Sequence, residues 1–323
     1  MKTYINLIFV LFLCCGEPHE REFKDYKIKH FSEKEIPPPT LLKGKKLHYT
    51  QFLIPRHIIA LEDHLIVAEN QLNDIFYIYD LNSMEFVKSI GKNGLGPGEI
   101  TLCASLAKGA TYGEFWAFDT NLKAYFGYNI NSDHKLAEKE IKQGEALAMA
   151  VNMVHSSDST FMTKLMHGNK MFVELTFDGD TVNTYGTWDR LFYDKRRLPD
   201  HVIINVLQGK LAASEDRNYF AFSGLFKDYI EILDKGSGVI TSIRGPVNKL
   251  PKFDIDSGPG YEVPVFKEPK YHRYTVLHLG ESSIFALYIG LTPEEIVEGK
   301  KGVSIFEFDY SGQILNNYKI DFH

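Results

Sequence analysis

Residues 75–90, IFYIYDLNSMEFVKSI, pass from an apolar run through a polar turn beginning at Asp80 into a second run of strand-forming residues. Aromatic and β-branched side chains fill the arms, and Asp, Asn and Ser close turns on their own backbone. The first arm is apolar on both sides instead of alternating, the mark of a strand covered on two faces. The unit returns at residues 124–141 (AYFGYNINSDHKLAEKEI), 171–186 (MFVELTFDGDTVNTYG), 229–245 (YIEILDKGSGVITSIRG) and 303–320 (VSIFEFDYSGQILNNYKI). Its turn residues align as Asp80, Asn129, Asp178, Asp234 and Asp309, at spacings of 49, 49, 56 and 75.

A second hairpin pattern precedes each unit, at residues 58–69, 110–119, 155–165, 212–224 and 279–290. Two hairpins make four strands in about 45–55 residues, the size of a propeller blade. Such a blade cannot bury both faces alone, so blades stack around an axis. The expected fold is therefore an all-β propeller. Five blades are readable, and the two wider spacings hold Pro/Gly-rich insertions at 245–269 and 290–302. Strand-like stretches at 23–31 and 46–54 are expected to supply part of a sixth four-stranded blade, closed by the last strand near 314–322; five blades is the alternative. Thr292-Pro293-Glu294-Glu295 reads as a capped helix start with Pro at the first helical position.

The N-terminus reads as an address. Met1-Lys2 precedes an apolar run of ten residues, YINLIFVLFL at 4–13, too short to span a bilayer as a helix. It ends at Cys14-Cys15-Gly16, which resembles a bacterial lipoprotein signal cut before a lipidated cysteine. Cys15 is the expected acceptor and Cys14 the alternative. The division is a signal peptide over 1–15, a polar acid-rich tether over 16–22 and a propeller over 23–323. Acidic residues after the cysteine resemble the surface-export signal of Bacteroidota lipoproteins. The expected location is the outer membrane or cell surface, with a periplasm-facing anchor as the alternative.

The blade unit at 75–90 runs into GKNGLGPGE at 91–99. With this loop, residues 47–320 resemble in outline the TolB-like six-bladed propeller family of Bacteroidota lipoproteins. The resemblance implies an exported location and a binding or scaffold role, and no general biochemical activity.

Candidate chemistry is sparse. The loop carrying Gly94, Gly96, Gly98 and Glu99 lacks the context of a phosphate loop, and Pro97 removes an N–H that an anion nest would use. It reads as a blade-to-blade connection whose Glu99 could reach the channel mouth. Asp254-Ile-Asp256-Ser-Gly258 resembles the start of a calcium loop without its downstream Glu. Twelve histidines include no zinc spacing, and His272 and His278 read as polar strand residues. Cys103 reads as a small buried apolar group. No cofactor or metal is expected. A net charge of −6, with isolated basic runs at 43–46 and 195–197, argues against a nucleic-acid partner. The functional expectation is a lipid-anchored envelope protein that binds a protein or glycan. The alternative is a hydrolase or lyase acting on a polysaccharide or lactone in the central channel.

Overall fold

The computed structural model describes residues 26–321, apart from 46, 48, 50, 52, 193–195, 197, 259, 260 and 301. Cys14, Cys15, the apolar run and the tether lie outside the described residues. Two short strands come first, β1 (Tyr26–His30) and β2 (Thr40–Lys43). Blade one is the antiparallel meander β3–β6 (Pro55–Leu61, His64–Glu69, Asp74–Asp80, Phe86–Lys92). Blade two is β7–β10 (Ser105–Lys108, Glu114–Asp119, Ala124–Asn129, Lys139–Lys142). Blade three is β11–β14 (Ala150–His155, Thr160–Leu165, Lys170–Thr176, Thr181–Thr187). Helix α1 (Asp200–Val206) leads into blade four, β15–β18 (Gly209–Ala213, Tyr219–Gly224, Tyr229–Asp234, Ile240–Arg244). A two-stranded hairpin, β19–β20 (Phe253–Gly258, Tyr261–Phe266), follows. Blade five is β21–β24 (Tyr274–Leu279, Ser283–Tyr288, Ser304–Asp309, Ile314–Asp321), with α2 (Pro293–Val297) between its second and third strands.

The first strands β3, β7, β11, β15 and β21 contact one another in that order, which makes them the inner strands. Facing blade surfaces bury four apolar clusters. Phe76 and Ile78 of blade one meet Phe115 and Phe126 of blade two, with the Phe76 and Phe115 rings edge-on at 5.1 Å. Trp116 and Tyr125 meet Phe161 and Val173. Met162 and Phe172 meet Phe220 and Phe222 beneath Trp188 and Val202. Ile230 and Ile243 meet Ile284 and Phe308. Each large side chain removed from water stabilises by roughly 1.5–3 kcal/mol, so these seams hold the ring. Cys103 is a buried member of the first cluster, as expected.

Among the described residues no buried cluster joins blade five to blade one. Ile58 on β3 is 61% exposed and Val276 on β21 is 52% exposed. The connection from β2 to β3 contributes Tyr49, which packs on Tyr79 of blade one at 4.8 Å and donates to the Met84 carbonyl at 3.1 Å.

The described residues form the five four-stranded blades readable in the sequence, and β19–β20 within the 245–269 insertion is a further, two-stranded sheet. Two placements need correction. The N-terminal segment builds no blade of its own. β1 pairs in parallel with β18 on the outer edge of blade four, and β2 pairs in parallel with β24 on blade five. Both strands are largely exposed; β1 carries two lysines and a histidine, whereas β2 leaves Leu41 and Leu42 exposed. β1 is fastened by Tyr26, whose hydroxyl donates to buried Glu231, which also binds Arg244 and accepts from Ser242 Oγ at 2.6 Å.

The second correction concerns the third turn. Asp80, Asn129, Asp234 and Asp309 each end a third strand, and their side-chain oxygens accept backbone N–H groups within their own turns. The third strand of blade three ends at Thr176, not Asp178. Thr176 Oγ1 accepts from Asp180 N at 3.0 Å, so a hydroxyl does the work of the carboxylate there.

Candidate functional site

In a four-stranded meander the turns between strands one and two and between three and four lie at one end. The two–three turns and the links to the next blade lie at the other. All the long excursions of this chain fall at the second end: the links 188–208 and 245–273 and the two–three loop 289–303. Together they crown blades three to five. Arg273 N donates to Leu225 O at 2.7 Å and His272 N to Leu291 O at 2.8 Å, which ties three loops together. Phe226 meets Phe266 edge-on at 5.3 Å, and Lys270 lies over both rings. α2 begins as its sequence predicts, with Thr292 Oγ1 accepting from Glu295 N and the Glu295 carboxylate accepting from Thr292 N.

The glycine loop serves itself. Glu99 accepts from Gly96 N at 2.8 Å and pairs with Lys92 at 2.8 Å. A Cβ at Gly94 would lie 2.0 Å from the Glu99 carboxylate, so glycine there lets the side chain fold back. Gly98, at φ +72°, accepts from Ala137 N at 3.0 Å beside the outer strand of blade two. The loop therefore brings Gly94, Gly96 and Glu99 together and docks Gly98 on blade two. Asp254 and Asp256 lie in strand β19, and Asp254 pairs with Lys267 at 2.8 Å, so this run forms no calcium loop. His278 lies on β21, whereas His272 belongs to the link before it. Among the described residues no group of three or more His, Cys, Asp or Glu is placed to hold a metal ion.

Two polar regions remain. At the short-turn end, a cleft of about 630 Å³ between blades three and four is lined by Ser156, Asp158, Asp216, Arg217 and Lys235. Its cations are already spent. Lys235 donates to Ser156 Oγ and to buried Glu174, each at 2.8 Å. Arg217 binds Asp158 at 3.3 Å and the Gly109 carbonyl at 2.9 Å. Lys108 of blade two pairs with Glu215 of blade four at 3.0 Å, which latches that end of the axis.

The opposite mouth of the axis is built differently. Arg56 and Lys210 each occupy the second position of an inner strand, in blades one and four, and both are exposed. Asn152 of β11 is exposed beside them and donates to Gly209 O at 3.3 Å. Burial first, then Lys210 and Arg56, hold the His57 imidazole below the ordinary histidine range. Arg56 and Lys210 have no hydrogen-bond or ion-pair partner among the described residues. The nearest carboxylate in the ladder, Glu69 opposite Pro55, is fully buried and accepts from Leu53, Ile54 and Gln71 N at 2.6–2.9 Å.

The family model described as TolB-like 6-blade propeller-like matches residues 30–323. The chain belongs to the TolB-like propeller family. This TolB-like propeller is similar to a solved putative exported protein from Bacteroides fragilis, at 15% identity and a TM-score of 0.51, over 90% of this chain and 80% of that one. It is also similar to a solved member of the DUF4221 family from Bacteroides vulgatus, at 12% identity and a TM-score of 0.55, over 84% and 83% of the two chains. Identities this low speak to the fold alone. No curated protein matches the sequence.

Proposed function

We propose that this TolB-like propeller is an exported, lipid-anchored envelope protein that binds a protein or glycan partner through its crowned end. The observation that carries the reading is the placement of all three long excursions at one end of adjacent blades. Loops on a rigid scaffold are where binding function concentrates. The crown exposes Val265 (44%), Tyr271 (39%) and Val297 (88%), apolar groups that scatter of single side chains would not place on one insertion-built surface. Export is supported by the signal-like run ending at Cys15 and by the description of the Bacteroides fragilis neighbour.

Four buried carboxylates are taken up by structural contacts and lend the hydrolase alternative no support. Asp119 and Glu69 bind backbone N–H groups, Glu174 binds Lys235, and Asp228 accepts from the Tyr274 hydroxyl at 2.8 Å. The test is cross-linking of the full chain in intact envelopes, comparing wild type with Val265→Asp/Val297→Asp. Loss of one defined cross-linked species in the variant is expected. Identical cross-links in both, with the lipid label unaffected by Cys15→Ala, would remove the proposal.

A further inference from the structure

The path of the N-terminal strand fixes the end at which the chain enters the propeller. β18 is the fourth strand of its blade, so it starts at the short-turn end with Ile240 and finishes at the crowned end with Arg244. β1 pairs with it in parallel, Tyr26 opposite Ile240 and His30 opposite Arg244. The described chain therefore enters at the short-turn end, on the outer edge of blade four. The entry is fastened there. The Tyr26 hydroxyl donates to Glu231, which is fully buried and also binds Arg244. The Arg190 guanidinium lies 4.5 Å from the centre of the Tyr26 ring. One residue past β1, Phe31 is buried in the seam between blades four and five, 5.7 Å from the Phe308 ring, and its N–H donates to Arg244 O at 3.1 Å. Peeling β1 away would take a donor from a buried carboxylate and open an apolar seam, both costly.

We propose that a lipid on Cys15 holds the propeller with its short-turn end toward the bilayer and its crown facing away. The crown then meets a protein or glycan that arrives from the aqueous side, not one embedded in the same membrane. The inference rests on the anchored, crown-binding reading above. Ten residues separate Cys15 from Tyr26. The chain between them reaches at most about 40 Å. β1 and β18 run side by side for five residues. That is a height of about 17 Å between the entry point and the crowned end. The excursions 188–208, 245–273 and 289–303 extend beyond it. Laying the crown on the bilayer would make the tether double back along the blade edge and past the excursions, which uses up most of its reach and its conformational freedom. With the short-turn end toward the bilayer no such detour is needed.

The test places the full lipid-modified chain in phosphatidylcholine–phosphatidylglycerol vesicles that carry an acceptor dye on their headgroups. A donor dye is attached to Ser159→Cys, in the first turn of blade three, or to Val297→Cys, in α2 of the crown. Both positions are exposed, while native Cys103 is 1% exposed and stays unlabelled. Energy transfer from Ser159→Cys should exceed that from Val297→Cys roughly twofold or more, since at least the height of a blade separates them. Equal transfer, or the reverse order, would overturn the orientation. Tyr26→Ala/Phe31→Ala should shrink the difference by freeing β1 and lengthening the tether. A difference that this variant leaves unchanged would show that β1 does not set the orientation. Cys15→Ala checks the anchor separately: release from the vesicles is expected. Retention would remove the lipid-anchor reading and the orientation with it, whereas an anchored chain with the wrong order of transfer sinks the orientation alone.

Discussion

Glu69 and Asp119 occupy the same place in successive blades. Each is the last residue of a second strand, and each is fully buried. Each carboxylate accepts N–H groups from the link entering its blade and from the turn that follows it. Glu69 does so with Leu53, Ile54 and Gln71, and Asp119 with Thr101, Leu102, Asn121 and Leu122. One buried charge thus fixes both the arrival of the inner strand and the departure to the third.

Asp119→Ala should therefore be among the most damaging single changes. It leaves four backbone donors and the Thr101 hydroxyl without their acceptor, at an expected cost of roughly 3–5 kcal/mol in denaturant unfolding. Burial alone would raise the Asp119 pKa, but the N–H bonds from Leu122, Leu102 and Thr101 outweigh it and hold the folded value below the ordinary one. Its contribution is thus present above the unfolded pKa and is lost as pH falls through the lowered folded value. Asp119→Asn should flatten that acid limb, and a limb of unchanged slope would assign it to other carboxylates.

Lys164 carries the opposite prediction. Its side chain is 3% exposed between blades three and four, with the ammonium 5.2 Å from the Phe222 ring centre and 5.8 Å from that of Trp188. No carboxylate pairs with it among the described residues. Burial pushes its pKa down from 10.5 to about 8. A lysine depressed on folding costs stability in full below the folded value, and the cost fades between that value and the unfolded one. Lys164→Met should raise stability at pH 7 by on the order of 2–3 kcal/mol. The gain should shrink toward pH 10. A loss at pH 7 would mean that the two aromatic faces repay the desolvation.

The glycines of the first blade-to-blade loop should not be equivalent. Gly91 sits at φ +77°, and a Cβ there would meet the buried Phe76 ring at 2.3 Å. Gly94→Ala would meet only the flexible end of Glu99. Gly91→Ala should cost roughly 2–4 kcal/mol through strain and overpacking, and Gly94→Ala about 1 kcal/mol. Equal melting points for the two variants would contradict this account of the loop.

How much of this was legible depends on which force places each element. The blade units were readable because strands such as 75–80 are covered on both faces and carry continuous apolar runs. The capped helix at Thr292 was readable because capping is local chemistry. β1 was readable as a strand within 23–31, but its partner was not, and β2 was not read at all, since an edge strand pairs through its backbone and its side chains do not name the strand it joins. The slip from Thr176 to Asp178 arose because a threonine hydroxyl closes the turn that Asp closes in its neighbours.

The most direct test of the central claim is cross-linking of the full chain in intact envelopes, with wild type and Val265→Asp/Val297→Asp side by side. The account predicts one defined cross-linked species in wild type that the variant loses. Identical cross-links in both would contradict it.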